Sequence, residues 1–177
     1  VWGKREHPVL GRFEELTGLT NVEFELRVQS TRADDEEVEV HYHPAELKIQ
    51  KGTSTFDATG LSFGQKRLLA VLYYLDLDAP ILIVDELSNG FHRSWIDYAV
   101  DQMQSRQNFA ATQNPLLLDR IHFADAESLR RSLILCREED GKFVWENAKA
   151  GDIEEVYDAY SVGLQHVSDI LWRKGLW

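Results

Sequence analysis

Asp85 and Glu86 directly follow four aliphatic residues in the stretch ILIVDELSNGFH, residues 81–92. Two like charges at the rim of a core repel each other, and each is costly to desolvate. Either the strand simply ends there and both acids face water, or the pair does chemistry. For chemistry, Asp85 suits the shell of a Mg²⁺ ion, usually through water, and Glu86 suits a general base that orients an attacking water. Upstream, LSFGQKR (61–67) places Ser62, Gly64 and Gln65 at the start of a helix. A serine hydroxyl and a glycine at a helix N-terminus let backbone N–H groups approach an anion closely, so Ser62 and Gly64 fit a γ-phosphate contact. Taken alone, the same string also describes an ordinary capped helix.

These residues need elements to hold them. GQKRLLAVLYYLDLD carries apolar residues at 68, 69, 71, 72 and 75, a helix with a broad buried stripe that Pro80 ends. ILIV reads as a fully buried strand of the parallel-sheet type. RSWIDYAVDQMQSR is a second amphipathic helix, and NFAAT another short strand, stopped by Pro115. Strand–helix–strand alternation points to an α/β layer with a mainly parallel sheet. Before this block, LGRFEELTGL is a short helix closed by glycine. VEFELRVQS and EEVEVHYHP alternate apolar and polar residues, as an antiparallel hairpin over 21–50 around the charged turn TRADDEE. KGTSTFDATG (51–60) reads as a polar loop. After the block, SLILCREEDGKFVWEN reads as two strands around an Asp-Gly turn. The tail reads as one helix, with Ile153, Val156, Tyr157, Tyr160, Leu164 and Val167 at helical spacing.

Order and spacing together resemble the C-terminal lobe of an ABC-type ATPase over residues 56–123. LSFGQ is similar to the signature motif, ILIVDE to the Walker B strand, LSNGFH to the D-loop, and ATQNP to the switch loop. The resemblance implies an α/β lobe whose parallel sheet is flanked by helices, with the antiparallel hairpin near the N-terminus. It implies ATP and Mg²⁺ as cofactors, with Asp85 on the metal side and Glu86 and Gln113 as catalytic positions. Ser62, Phe63, Gly64, Gln65, Asn89 and His92 fall at nucleotide-contacting positions. DELSNGFH followed by ATQNPLLLD resembles the SMC-like and OLD-like soluble group, and the tail resembles that group's anti-phage, retron- or Septu-associated members. Phe63 and His92 depart from the residues usual in transporters.

Gln113 stands where the family's switch histidine contacts the γ-phosphate; its amide can donate a hydrogen bond but cannot carry a positive charge. No GxxxxGK[ST] loop occurs in the 177 residues, so the chain cannot cradle the β- and γ-phosphates itself. A Walker A-bearing N-terminal lobe is therefore expected from another chain or segment. The signature motif of this family faces ATP held by the opposite subunit, which implies a homodimer or higher oligomer. The expected activity is ATP-driven dimerisation and Glu86-assisted hydrolysis that control an effector, such as a nuclease, in anti-phage defence. Two alternatives stand beside it: a nucleotide-gated scaffold with little turnover, and a DNA-repair head of the SMC type.

The bulk composition bounds these readings. At 177 residues and 44% hydrophobic, the chain reads as one folded domain, with a closing hairpin and helix over 132–177. A net charge of −11 argues against a broad nucleic-acid surface on this piece, although the assembly as a whole could still engage nucleic acid. Apolar runs such as APILIV are too short to span a bilayer. Together with a single cysteine, Cys136, and no signal or lipidation motif, this gives a cytoplasmic expectation with no membrane partner. Its start at Val1, with Met103 the only methionine, suggests a piece of a longer protein or a processed product. His41 and His43 share a strand face, but with no third ligand nearby a solvated face is the simpler account. Asp34 to Glu37 read as a charged turn, and Trp145, Trp172 and Trp177 as core or subunit-contact residues.

Overall fold

Proline inside the start of a helix and glycine just past its end is a matched pair of boundary signals. Helix α1 (Pro8–Thr17) has both. Gly18, at φ 67°, closes it by donating its N–H to the Glu14 carbonyl at 2.8 Å. The computed structural model describes residues 7–34, 37–163 and 166–176. The chain divides into two compact units, Val1–Ala110 and Ala111–Trp177.

In the first unit, strands β1 (Thr20–Glu25), β2 (Val28–Ala33), β3 (Val38–Tyr42) and β4 (Glu46–Lys51) follow α1. The expected hairpin is present with each arm broken in two: β2 pairs antiparallel with β3, and β1 with β4. A hydrogen bond from the His43 N–H to the Arg27 carbonyl (2.8 Å) bridges the break. The segment expected to be a polar loop instead forms β5 (Ser54–Asp57) on the free edge of β4, then a 3-10 turn over Ala58–Gly60. Its polar composition suits an edge strand, where only Phe56 packs against the core. That core joins Val9, Leu10 and Phe13 of α1 to Val22, Leu47 and Ile49 of the sheet and to Leu68 and Leu72 of the next helix.

Four further elements carry the acidic pair and its neighbours: α2 (Phe63–Asp76), β6 (Ile81–Asp85), α3 (Arg93–Met103) and β7 (Gln107–Ala111). Strands β6 and β7 pair as a two-stranded sheet. Helix α3 buries Ile96, Ala99, Val100 and Met103, the i, i+3, i+4, i+7 stripe of an amphipathic helix. Trp95, at the edge of that stripe and packed against the first core, donates its indole N–H to the Leu16 carbonyl of α1 at 2.8 Å. The expectation that ILIV is fully buried is corrected: Leu82 is buried, but Ile81 and Ile83 are 46% and 72% exposed. Side chains alternate along a strand, and among the described residues no layer covers the Ile81–Ile83 face.

The second unit contains a 3-10 turn over Pro115–Arg120, α4 (Ala126–Ser132), β8 (Ile134–Glu139), β9 (Lys142–Asn147), α5 (Ala150–Ser161) and α6 (Val167–Arg173). Strands β8 and β9 pair antiparallel around Asp140 (φ 51°) and Gly141 (φ 74°), the left-handed pair of a tight hairpin turn. Leu118, Phe123, Leu129, Ile153, Val156, Val167, Ile170 and Leu171 form the core. The buried Asp119 carboxylate accepts from the Ser168 N–H (3.1 Å) and hydroxyl (2.9 Å), fastening α6 to the 3-10 turn. The single tail helix is corrected to two, since Gly163 at φ 72° ends the first. Helix α4 falls in a stretch not read as an element. Trp145 and Trp172 are 66% and 71% exposed, so neither fills the core. Leu164, Trp177, Asp35, Glu36 and Val1 lie outside the described residues.

Candidate functional site

Ser62 caps α2 in a reciprocal pair. The Gln65 N–H donates to the Ser62 hydroxyl oxygen at 3.2 Å, and the Ser62 N–H donates to the Gln65 side-chain oxygen at 2.9 Å. This capping box satisfies two of the donors that every helix leaves free at its start. It explains the serine and the glutamine structurally, while the exposed hydroxyl of Ser62 keeps its own proton to donate.

Gly64, the next landmark, is buried for a reason within this chain. A Cβ placed there would lie 2.1 Å from the Gly90 carbonyl oxygen. Gly90 is itself at φ 76°, and a Cβ on it would lie 2.9 Å from Cδ1 of Phe63. The start of α2 therefore rests directly on the turn after β6, glycine against glycine. Phe63 lies against that contact while remaining 62% exposed.

The turn begins at the acidic pair. Asp85 is the last residue of β6, and Glu86 adopts φ 51°, a left-handed conformation that costs a non-glycine residue about 1–2 kcal/mol. The chain then folds back: the Asn89 N–H donates to the Glu86 carbonyl, and the Phe91 N–H to the Ser88 carbonyl, both at 3.0 Å. Leu87 and Ser88 are buried, and the Ser88 hydroxyl has no hydrogen-bond partner among the described residues. The Arg67 guanidinium, one turn into α2, donates from a single nitrogen to the carbonyls of both Asp85 and Glu86, at 2.5 Å each. Sequence reasoning missed Arg67, because an arginine on a helix reads as a solvated charge.

His92 occupies the N-cap position of α3 without capping it; its Nδ1 lies 3.1 Å from the Ser94 hydroxyl, and its ring sits beside Trp95. Asn89 and His92 are exposed. Ser62, Phe63, Gly64, Gln65, Asp85, Glu86, Asn89 and His92 thus all belong to the first unit. Gln113 belongs to the second, exposed in a turn where the Thr112 hydroxyl accepts the Asn114 N–H at 2.9 Å. Among the described residues no cluster of three or more His, Cys, Asp or Glu gathers around a point.

No protein-family model and no curated protein matches the chain. Among solved structures, it is similar to one from a study of ATP-driven dimerisation and DNA-stimulated activation of SMC ATPases. The TM-score is 0.50 at 11% identity, covering 89% of this chain and 92% of that one. It is also similar to an Smc head domain with a coiled coil and joint from Pyrococcus yayanosii, with a TM-score of 0.50 at 13% identity, covering 86% of this chain and 29% of that one. At such identities the likeness is one of fold: this chain has a mixed α/β fold similar to that of SMC ATPase head domains.

Proposed function

We propose that the chain is the C-terminal lobe of a soluble ABC-type ATPase, completed by a Walker A-bearing segment or chain. The observation that carries this reading is the joint placement of an acidic pair at the end of β6 and a capped helix start docked on the turn that follows. In this reading Glu86 accepts a proton from the attacking water. Ser62 and the first N–H groups of α2 meet the terminal phosphate held by an opposing subunit. Asp85, exposed at the strand end, suits the small carboxylate share of a Mg²⁺ shell that otherwise keeps water and phosphate oxygens. The ion would neutralise charge on the phosphates. Strands β6 and β7 then belong to a larger parallel sheet, and the uncovered Ile81–Ile83 face is consistent with a further layer.

The fold likeness to SMC heads supports nucleotide-driven dimerisation as the mode of action. An effector output in anti-phage defence rests on sequence resemblance alone: DELSNGFH and ATQNPLLLD point to the SMC-like and OLD-like group, and the tail YDAYSVGLQHVSDILWRKGLW to its anti-phage members. Gln113 favours a second reading, a nucleotide-gated scaffold with slow turnover, because a neutral amide replaces the charge available to an imidazolium. ATP turnover by the full protein, together with its Walker A partner, separates the two. The ATPase reading expects Glu86→Gln to abolish hydrolysis while nucleotide binding persists. Turnover unaffected by Glu86→Gln removes Glu86 as the base, and turnover absent from the wild type leaves the scaffold.

A further inference from the structure

We propose that Arg67 is a positioning residue that holds Glu86 in its working conformation, an inference that rests on Glu86 being the general base. In an extended strand, successive carbonyls point to opposite sides, so one donor atom cannot reach two in a row. The Arg67 Nη2 reaches the carbonyls of Asp85 and Glu86 together because the backbone turns left-handed at Glu86. Arg67 therefore binds the turned conformer and not the extended one. A contact with such differential affinity shifts the equilibrium towards the form it binds. Without it, Glu86 has an intrinsic preference for continuing the strand.

The hold is local and directional. The Glu86 carbonyl accepts from Arg67 on one side and from the Asn89 N–H on the other, which uses both of its lone pairs. Arg67 sits five residues after Ser62, on the same helix that rests on Gly90. The turn over 85–90 is thus gripped twice by α2, at Gly90 by contact and at Glu86 by hydrogen bonds. Movement of the helix start would carry the carboxylate with it. Arg67 touches neither nucleotide nor water in this account; it acts through Glu86.

Two measurements test the assignment with Arg67→Gln and Arg67→Lys. The first is amide hydrogen exchange in the chain itself, which needs no nucleotide. Arg67→Gln is expected to speed exchange at Asn89 about tenfold or more, as for loss of a charge-assisted hydrogen bond, while core amides such as Ile49 keep their protection. The second is ATP turnover by the full protein. There kcat is expected to fall about 10- to 100-fold for a misplaced catalytic group, with KM for ATP unchanged. Arg67→Lys, whose ammonium has three donors, restores part of both. Asn89 exchange that does not change, or that rises only together with Ile49, overturns the proposal. So does an equal loss in kcat with Lys and Gln. If Glu86→Gln leaves turnover intact, the general-base reading fails by itself, and the exchange measurement still decides whether Arg67 holds the turn.

Discussion

Replacing Gly64 by alanine adds one methyl group where the structure has no room for it. The new Cβ would lie 2.1 Å from the Gly90 carbonyl oxygen and 3.2 Å from its carbon. Carbon–oxygen contacts settle near 3.3 Å, so helix and turn must separate by roughly 1.2 Å. The obstacle is backbone on both sides, with no flexible side chain to swing away. Overpacking of this kind costs about 1–3 kcal/mol, against which alanine returns up to about 1 kcal/mol of helix propensity. Gly11 supplies the control within the same unit: it lies inside α1, is exposed, and a Cβ there meets nothing within 4 Å. Gly11→Ala should therefore stabilise by roughly 0.5–1 kcal/mol. Urea unfolding of the two variants should move in opposite directions, with Gly64→Ala net destabilised by up to about 2 kcal/mol. Equal stabilisation by both would refute the glycine-on-glycine packing and leave Gly64 explained only by its approach to an anion.

Three further outcomes are expected. Ser62→Ala removes the capping box of α2 and should cost about 1 kcal/mol in chemical unfolding without any nucleotide present. The Glu127 carboxyl is held down to about 2 by hydrogen bonds from Arg130 and Arg131, against an ordinary value of 4.5. Its contribution is complete above about pH 4.5 and is lost as pH falls towards 2, so Glu127→Gln should flatten the acid limb of the stability profile in that window, weakly and more so at low salt. Gly141→Val forces a β-branched residue to φ 74° and should cost about 1–2 kcal/mol or more, read as faster amide exchange along β8 and β9 with α1 unaffected.

Elements whose pattern states their own period were legible in the chain. Helix α3 buries the residues its spacing selects, and Asp140-Gly141 turns the hairpin that the dipeptide announces. Strand β5 was not legible, because an edge strand with one half-buried residue has a loop's composition. Helix α4 has seven residues and buries only Leu129, too little for a periodic signal. The aliphatic run of β6 shows that its side chains favour burial but not which face is covered, and the structure leaves Ile81 and Ile83 open. Within the site, residue types pointed to Ser62, Gly64 and the acidic pair. The grip on that pair was invisible, because it joins residues 67 and 86 through main-chain carbonyls that any sequence would supply.

The bond between Asp119 and Ser168 has a consequence for how the protein is made. Synthesis is vectorial, and compact units tend to fold in the order in which they emerge. The principal core cluster of the first unit uses buried residues between Val9 and Leu72, so it can close early. The second core needs Val167, Ile170 and Leu171 of α6, and Asp119 has no Ser168 to accept from until that helix leaves the ribosome. Through that interval Leu118, Phe123 and Leu129 lack part of their cover, and Asp119 holds a place open for a segment 49 positions ahead. That nascent second unit is the stage at which the protein would most depend on a chaperone.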